Sequence, residues 1–451
     1  MAGGTFDPNV SKVRPGTYIN FVSEKQDVLG TSERGTVILP LGTTDWGPAG
    51  EMMKITADAP DEYKVKLGYS VYDDDANGNM LMIREALKGA SEVIVYICTE
   101  GATAATGTGG GLTGTAKYKG TRGNALKYSI TANPVTGFDV NVYLDGAKIE
   151  EFNNVTAYTD LADSEYITFA KSSDDAVIAA VAGVTLTGGT NASSGNAGVT
   201  AFLTACEGEN WNTMAFPFTD SSLQAAVLAK INHLINNVGK NVQAVVPNFT
   251  SADNEGIINV TNSYGLEGKD LTTAQACAYV AGITAGADST QSNTNRIVAG
   301  AIKVVNPKTH EASVTAINNG EFFFSVSEQG NVVVEYDINS LVTYTGKDKS
   351  YRKNKVIRVF AEVAEMIKAN FPPNRYTNDP TGWAVMEGVG KTILKRMGPT
   401  SDGGSGALKN IDYDNDFTVD REKSTGDETY FNVGIEPVDA AEKLYFTVKT
   451  R

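Results

Sequence analysis

Short apolar runs alternate with helical patterns along much of the chain, and this alternation predicts an α/β architecture. The clearest helix, from Leu223 to Val238, carries apolar residues at helical spacing on one face. The runs that predict strands are rich in β-branched residues, as buried strands are. The other predicted helices of this part lie near 80–88 and at 272–287, and the predicted strands lie at 34–41, 92–98, 211–218, 241–247, 257–261 and 301–305, with a hairpin at 322–338.

Between residues 101 and 197 the pattern changes to short runs in which apolar and polar residues alternate, separated by Gly, Asn and Asp. Such runs predict a small antiparallel β-sandwich inserted into the α/β part. Two flanking stretches, the loop from Cys98 to Gly114 and residues 186–200, are rich in Gly, Ser, Thr, Ala and Asn, and we interpret them as flexible linkers. The predicted strands lie at 125–132, 138–146, 148–155 and 165–170.

Two amphipathic helices and a polar, irregular remainder follow residue 347 and predict an α+β C-terminal domain. The first helix ends before Pro372, and the second begins at Pro380 with Asp379 as its N-cap and Gly398 as its stop. The sequence thus predicts a multidomain chain of α/β and β type. Its units are an N-terminal arm (1–22), the first part of the core (23–100), the inserted β-sandwich (101–197), the α/β core (198–346), the C-terminal α+β domain (347–442) and a C-terminal arm strand (443–451).

Both ends of the chain can form strands that lie apart from the nearest predicted core. A terminal strand leaves backbone N–H and C=O groups unpaired, and adding it to the sheet of another subunit would satisfy them. The alternative is that each arm folds back on its own subunit. The residues predicted to contact other subunits are Thr17, Tyr18, Ile19 and Phe21 in the N-terminal arm, and Leu444, Tyr445, Phe446 and Val448 in the C-terminal arm.

Composition and charge argue against several classes of protein. The 451 residues include 38 Lys and Arg against 53 Asp and Glu, a formal net charge of −15 that disfavours general nucleic-acid binding. Three widely spaced cysteines, Cys98, Cys206 and Cys277, indicate neither a disulfide framework nor a zinc site. We expect a soluble protein from a reducing cytoplasm, because no secretory signal pattern and no apolar run of membrane-spanning length occurs.

Two glycine motifs resemble nucleotide-binding loops, but their contexts do not fit. Gly109, Gly111 and Gly114 match G-x-G-x-x-G, yet the motif lies well beyond the preceding strand and no amphipathic helix follows. We therefore interpret it as part of a linker. The segment EGVGKT, at 387–392, has Val385 where a P-loop needs glycine, and it lies inside a predicted helix. Gly390 there is expected to allow another backbone to approach closely.

Metal and nucleophilic chemistry have few candidates. Asp73, Asp75 and Asn77 match the first ligand positions of a calcium loop, but position 12 is Arg84. The two histidines are expected on a helix surface (His233) and in a turn (His310). The remaining candidates are the acidic segment 412–417, which lacks the loop glycine, and the pair Ser350 and Lys353, which matches S-x-x-K without its companion motifs. We predict no enzyme, no cofactor and no metal.

One cationic stretch departs from the acidic average. It is either ordinary solvated surface or an electrostatic face toward an acidic neighbour. Its residues are Lys347, Lys349, Arg352, Lys353, Lys355 and Arg358.

Several short motifs, taken in order, resemble the contractile tail sheath proteins of phages and phage-tail-like bacteriocins of Gram-positive bacteria. They run from about residue 14 to the C-terminus. They are RPGTYINF (14–21), DWGPAGE (45–51), YKGTRGNALKYSI (118–130), LTGGTNA (186–192), and GNVVVEYDINSLVTY followed by KNKVIRVFAEVAEMI. The segment YVAGITAGADSTQSNTN departs from the family's pattern.

The resemblance implies a subtilisin-like α/β domain without protease function. It also implies subunits that polymerise as stacked hexameric rings around a tail tube, contract on triggering, and lend terminal strands to their neighbours. The implied partners are other copies of this chain, the tail tube protein, and baseplate and tail terminator proteins, with no nucleic acid and no membrane anchor. The implied location is the tail of a virion or phage-tail-like particle assembled in the bacterial cytoplasm.

Two other classes compete with this interpretation. A nucleotide-binding α/β enzyme with a β insertion should be stabilised by phosphate ligands, and the motif contexts disfavour it. A surface-layer or adhesin protein would suit the Thr-, Gly- and Asn-rich β segment, but that class should carry a signal peptide.

Overall fold

The computed structural model of the chain describes residues 2–4, 16–18, 35–99, 101–192 and 195–450. Its helices are α1 (Lys64–Leu67), α2 (Asn79–Leu87), α3 (Asn196–Ala205), α4 (Ser221–His233), α5 (Thr273–Gly286), α6 (His310–Asn318), α7 (Asn354–Asn370) and α8 (Pro380–Met397).

The first twelve strands are β1 (Ala2–Gly4), β2 (Gly16–Tyr18), β3 (Thr36–Leu41), β4 (Met52–Thr56), β5 (Glu92–Ile97), β6 (Thr106–Gly109), β7 (Leu112–Ala116), β8 (Leu126–Ala132), β9 (Phe138–Leu144), β10 (Ala147–Val155), β11 (Ile167–Lys171) and β12 (Val181–Thr185). The later ones are β13 (Thr213–Ala215), β14 (Gln243–Pro247), β15 (Ile257–Val260), β16 (Ser263–Leu266), β17 (Lys269–Asp270), β18 (Lys303–Val305), β19 (Glu321–Phe322), β20 (Phe324–Val326), β21 (Val332–Val334), β22 (Leu408–Lys409), β23 (Phe417–Val419), β24 (Phe431–Val433) and β25 (Glu436–Pro437).

A seven-stranded sheet forms the centre of the molecule, in the order β19-β15-β14-β13-β3-β5-β4. All neighbours are parallel except β4, which is an antiparallel edge strand. Successive residues of a strand face opposite sides. Val37 therefore packs with α2 and α5, whereas Ile38 packs with α3 and α4. Both faces are covered by helices, which explains why these strands are apolar throughout.

Side-chain caps mark the starts of three helices, and the one at α8 was predicted from the sequence. Asp220 accepts hydrogen bonds from the first backbone N–H groups of α4, and a π-helical turn continues that helix to Val238. Thr272 and Gln275 form a capping box at α5, and Asp379 caps α8 immediately before Pro380. One predicted strand does not continue the parallel sheet. β18 instead joins the antiparallel sheet β17-β16-β18, because its backbone pairs with β16.

Residues 106–185 form two antiparallel sheets, β10-β9-β8-β12 and β11-β7-β6, which share one apolar core. Tyr128 is fully buried in that core, and its hydroxyl donates a hydrogen bond of 3.0 Å to the carbonyl oxygen of Gly109 or Leu112. Thr106–Gly109 and Leu112–Ala116 form a hairpin whose turn is Gly110-Gly111, both at positive φ. The interpretation of the glycine motif as a flexible linker is therefore wrong. Of its three glycines, Gly111 lies in a turn that requires φ above zero, whereas Gly109 and Gly114 lie in the two strands of the hairpin.

The C-terminal part packs α7 and α8 against the short hairpin β23–β24. Gly390 of α8 faces Phe417 of β23 so closely that a Cβ atom at this position would overlap the aromatic ring. The neighbour at Gly390 is thus a side chain, whereas the sequence predicted another backbone. Gly388, two residues earlier, has open space where its Cβ atom would lie.

Candidate assembly site

The C-terminal arm, defined as residues 443–450, lies on the surface of the molecule. Its apolar side chains are largely exposed, from 66 % at Leu444 to 89 % at Tyr445. In the described part of the chain no strand pairs with the arm, so the predicted terminal strand is not formed within a single chain. A β-strand needs a backbone partner, and exposed apolar residues in a row are typical of a segment that another surface covers.

The root of the arm, in contrast, is held to the body by Glu442. One carboxylate oxygen of Glu442 accepts hydrogen bonds from the hydroxyls of Ser292 at 2.8 Å and Thr294 at 2.5 Å. The other oxygen pairs with the Lys353 ammonium. The Glu442 side chain is only 8 % exposed, so this contact is a shielded anchor and not a surface ion pair.

Lys353 connects several parts of this anchor. Its ammonium lies 3.8 Å from a carboxylate oxygen of Asp439 and 4.3 Å from the ring centroid of Tyr336, where a cation–π contact is favourable. Burial lowers the pKa of Lys353, because desolvation disfavours the charged form, and the carboxylate of Asp439 opposes this change. The anchor was missed in the sequence because nothing in the spacing pairs residue 353 with residue 442.

The predicted cationic face is not one exposed surface. Lys347 and Lys349 are exposed, but Arg352 and Lys355 are buried, and Lys353 binds Glu442. Arg358 lies 3.1 Å from the buried carboxylate of Asp337. The prediction of a solvated or intersubunit face is therefore wrong for these four residues, since the end of the stretch leads into α7, whose first three residues are buried.

Asp337 is the centre of this internal network. Its carboxylate accepts hydrogen bonds from the backbone N–H of Asn293 at 3.0 Å and the side-chain amide of Asn354 at 2.9 Å, in addition to the ion pair with Arg358. A fully buried carboxylate is tolerated only when such partners surround it. The network joins the loop after α5 to the start of α7.

Removing Arg358 should therefore destabilise the chain itself. Arg358→Met is expected to lower the free energy of unfolding by about 3 kcal/mol, because it leaves Asp337 buried with less compensation. Lys349→Met, in the same stretch but exposed, should change it by less than about 0.5 kcal/mol. Chemical denaturation of both variants checks this; equal stabilities would show that Asp337 does not depend on Arg358.

The N-terminal arm is described only in part. β1 and β2 pair in parallel, with Gly3 opposite Thr17 and Gly4 opposite Tyr18. Thr17 and Tyr18 thus lie in a strand, while Ile19 and Phe21 lie outside the described residues.

Three motifs that carried the resemblance meet at one junction between the central sheet and the two antiparallel sheets. The backbone N–H of Arg122 donates to the carbonyl of Asp45 at 3.0 Å. Asn124 and Gly189 exchange two hydrogen bonds, at 2.9 and 2.8 Å. Thr103 pairs with Thr190 across the same junction. Residues 186–192 are thus tied down by hydrogen bonds, so the expectation of a flexible linker is wrong for this segment.

Trp46 packs beside the same junction. It is 2 % exposed, its ring centroid lies 5.3 Å from that of Tyr118, and its indole N–H donates to the carbonyl of Val65 at 2.9 Å. The Trp-Gly-Pro turn is therefore a packing element of the junction.

The carboxylates considered for calcium bind backbone groups instead. Asp75 accepts hydrogen bonds from the backbone N–H groups of Asn77 and Met80, and Asp73 accepts one from Ser70. Asp75 therefore satisfies one backbone N–H of the first turn of α2, whose N-cap residue is Gly78. Among the described residues, no group of three or more His, Cys, Asp or Glu is placed to hold a metal ion.

The residues considered for nucleophilic catalysis contact other side chains instead of one another. Lys353 of the pair Ser350–Lys353 binds Glu442, and His233 is exposed beside Glu207. His310 is the first residue of α6 and does not lie in a turn.

The three cysteines are buried and form no disulfide bond. Burial raises the pKa of Cys98 to about 12 and that of Cys206 to about 11, so both thiols stay protonated at neutral pH. None of the helices in the described ranges has the length and apolar character of a membrane span.

Comparisons with known proteins identify the architecture along the whole chain. Four family models match consecutive segments. They are the tail sheath protein Gp18 domain III N-terminal region at 34–96, the phage tail sheath protein beta-sandwich domain at 99–191, the phage tail sheath protein central domain at 192–340 and the phage tail sheath C-terminal domain at 346–451.

Similar proteins and solved structures agree. The phage-like element PBSX protein XkdK of Bacillus subtilis is 34 % identical over the full length of both chains. The crystal structure of the sheath tail protein from Desulfitobacterium hafniense has 35 % identity and a TM-score of 0.80, and covers 96 % of this chain and 99 % of that one. The Listeria innocua sheath tail protein has 32 % identity and a TM-score of 0.75, with 93 % and 96 % covered.

The helical sheath protein of the anti-feeding prophage in its contracted state shares the fold, with a TM-score of 0.57 at 14 % identity over 98 % of this chain and all of that one. The four family models and the relatives above 30 % identity define a protein of the phage tail. The chain belongs to the phage tail sheath protein family.

Proposed function

We propose that the chain is the repeating subunit of a contractile sheath, which stacks as hexameric rings around a tail tube and contracts to drive the tube through a bacterial envelope. The observation that carries this proposal is the exposed apolar C-terminal arm, which has no partner strand in the described chain. Adding the arm to a neighbour's sheet would pair its backbone and cover its side chains. The tail tube, baseplate and tail terminator proteins are the other partners that we propose, in a particle assembled in the bacterial cytoplasm.

The body would act as a rigid unit in this assembly. We propose that the central sheet is a subtilisin-like domain without catalysis, and that residues 101–197 are an inserted β-sandwich. The hydrogen bonds between Asn124 and Gly189 support a fixed junction between the two. The N-terminal arm (1–22), with Thr17, Tyr18, Ile19 and Phe21, would contact a second neighbour. The core would comprise 23–100 and 198–346, and the C-terminal α+β domain 347–442.

Contraction would then be a change of lattice. Arms that stay paired let rigid bodies rotate and slide past one another without separating, and a second packing of polar and charged faces supplies the lower free energy. Contacts between unlike surfaces that do not close into a ring give helical growth along the tail.

Negative-stain electron microscopy of the purified chain, beside a truncation that ends at Glu442, tests this function. We expect striated tubes from the full chain and none from the truncation. The truncation removes only the arm and leaves the Glu442 anchor in place, so circular dichroism should report an unchanged body. Discrete monomers of the full chain at high concentration would contradict self-assembly, and tubes from both proteins would contradict the role of the arm.

A further inference from the structure

The arm has two points at which the chain can be held. The last strand before the arm is β25, which pairs with β22. Directly after it, the backbone N–H of Val438 donates a hydrogen bond of 2.9 Å to the carbonyl oxygen of Ala407. Residues 439–442 come next. Asp439 and Glu442 hold this segment to the body through Lys353, and Glu442 also accepts hydrogen bonds from two hydroxyls.

These two points define two arm lengths. Four residues, 439–442, separate the two points. At roughly 3.3 Å per extended residue, they span about 13 Å. The second attachment point therefore changes the reach of the arm by about 13 Å without any change in the folded body.

The seat of Glu442 is built for one carboxylate. Lys353 supplies a cation with only 12 % of its side chain exposed, while Ser292 and Thr294 supply donors from a different segment, the loop after α5. Thr294 also accepts the backbone N–H of Asp337 at 3.0 Å, which fixes its hydroxyl beside the Asp337 network. The seat is thus held by contacts within the body, and its occupant is the root of the exposed arm.

We propose that Glu442 is a latch that gives the C-terminal arm a short and a long form. With the carboxylate seated, the arm begins at Lys443. With it released, the arm begins after Val438, and a neighbouring subunit can move about 13 Å further away while the strand stays paired. The inference rests on the proposed function, since it concerns a sheath whose subunits change their spacing.

Trypsin cleavage provides a direct measurement on the whole chain. Lys443 adjoins the latch, and Lys449 lies in the exposed arm, so cleavage after Lys449 is an internal reference. A protease needs an extended, accessible segment on both sides of the peptide bond that it cleaves. While Glu442 is bound to Lys353, the segment before Lys443 is not free to extend. When opening is faster than cleavage, the rate follows the population of the open form.

Lys353→Met removes the cation from the seat without altering the residues around either cleavage site. We expect the ratio of cleavage after Lys443 to cleavage after Lys449, measured by intact mass spectrometry, to rise roughly 10- to 100-fold. Lys347→Met is the matched control, since it removes a lysine paired with Glu255 outside the latch, and should leave the ratio within about twofold. Circular dichroism and the thermal midpoint report whether either variant unfolds.

The double variant Ser292→Ala with Thr294→Ala keeps every charge and should also raise the ratio. An unchanged ratio in Lys353→Met, or an equal rise in Lys347→Met, would overturn the latch. Electron microscopy separates the two proposals. If the wild-type chain forms tubes and the cleavage ratio of Lys353→Met is unchanged, the sheath function is supported and the latch is contradicted. A raised ratio without tubes retains the two arm lengths and removes the sheath function on which their use depends.

Discussion

Serine at positions 444, 446 and 448 is expected to abolish tube formation by a chain that still folds. These three side chains share one face of the arm if it is extended, because alternate residues of a strand point the same way. They are largely exposed in the single chain, so their loss costs the body little. Burial of Leu444, Phe446 and Val448 against a neighbour would be worth about 1.5 to 3 kcal/mol each, and every subunit would lose it.

The opposite face supplies the matched control. Serine at Tyr445 and Lys449, which lie on the opposite face of an extended arm, should weaken tubes less, because only one of the two removed side chains carries a large apolar surface. Sedimentation and negative-stain microscopy at several protein concentrations measure the difference. Equal loss of tubes from both sets would show that the arm does not pair as a strand with one buried face.

Gly390→Ala adds only one methyl group but is expected to destabilise the packing of α8 on β23. Its Cβ would overlap the ring of Phe417, which itself is 2 % exposed and stacks on Phe371 at 5.7 Å. Forcing that ring aside costs about 1 to 3 kcal/mol, more than the helix gains from alanine. The thermal midpoint should fall by about 4 °C.

The same helix contains the control. Gly388→Ala meets open space and replaces a glycine in a helix interior, so it should stabilise the chain by about 0.5 to 1 kcal/mol. Opposite shifts in the two midpoints would agree with the packing of α8 on β23. A midpoint for Gly390→Ala equal to or above the wild-type value would contradict it.

Local pattern and chemistry were enough to predict much of the backbone. The α4 helix, the capped start of α8 at Pro380, and the apolar strands β3 and β5 were all predicted, because each follows from short-range periodicity and side-chain hydrogen bonding. The order of motifs also indicated the family, which the comparisons show.

Long-range pairing was not predictable in the same way. The cationic stretch looked like one surface because its residues are adjacent in sequence, yet Arg358 binds Asp337 and Lys353 binds Glu442, 89 positions away. Composition alone does not distinguish a glycine turn from a flexible segment, so the sequence predicts a linker where the structure has the hairpin turn Gly110-Gly111. Partners that are distant in sequence leave no local signal of their own.

Electron cryo-microscopy of tubes formed by this chain shows where each C-terminal arm lies. If the arm links subunits of a sheath, residues 443–450 should form a strand hydrogen-bonded in the sheet of a neighbouring subunit, with Leu444, Phe446 and Val448 covered. An arm folded back on its own subunit, in tubes held together by other surfaces, would contradict it.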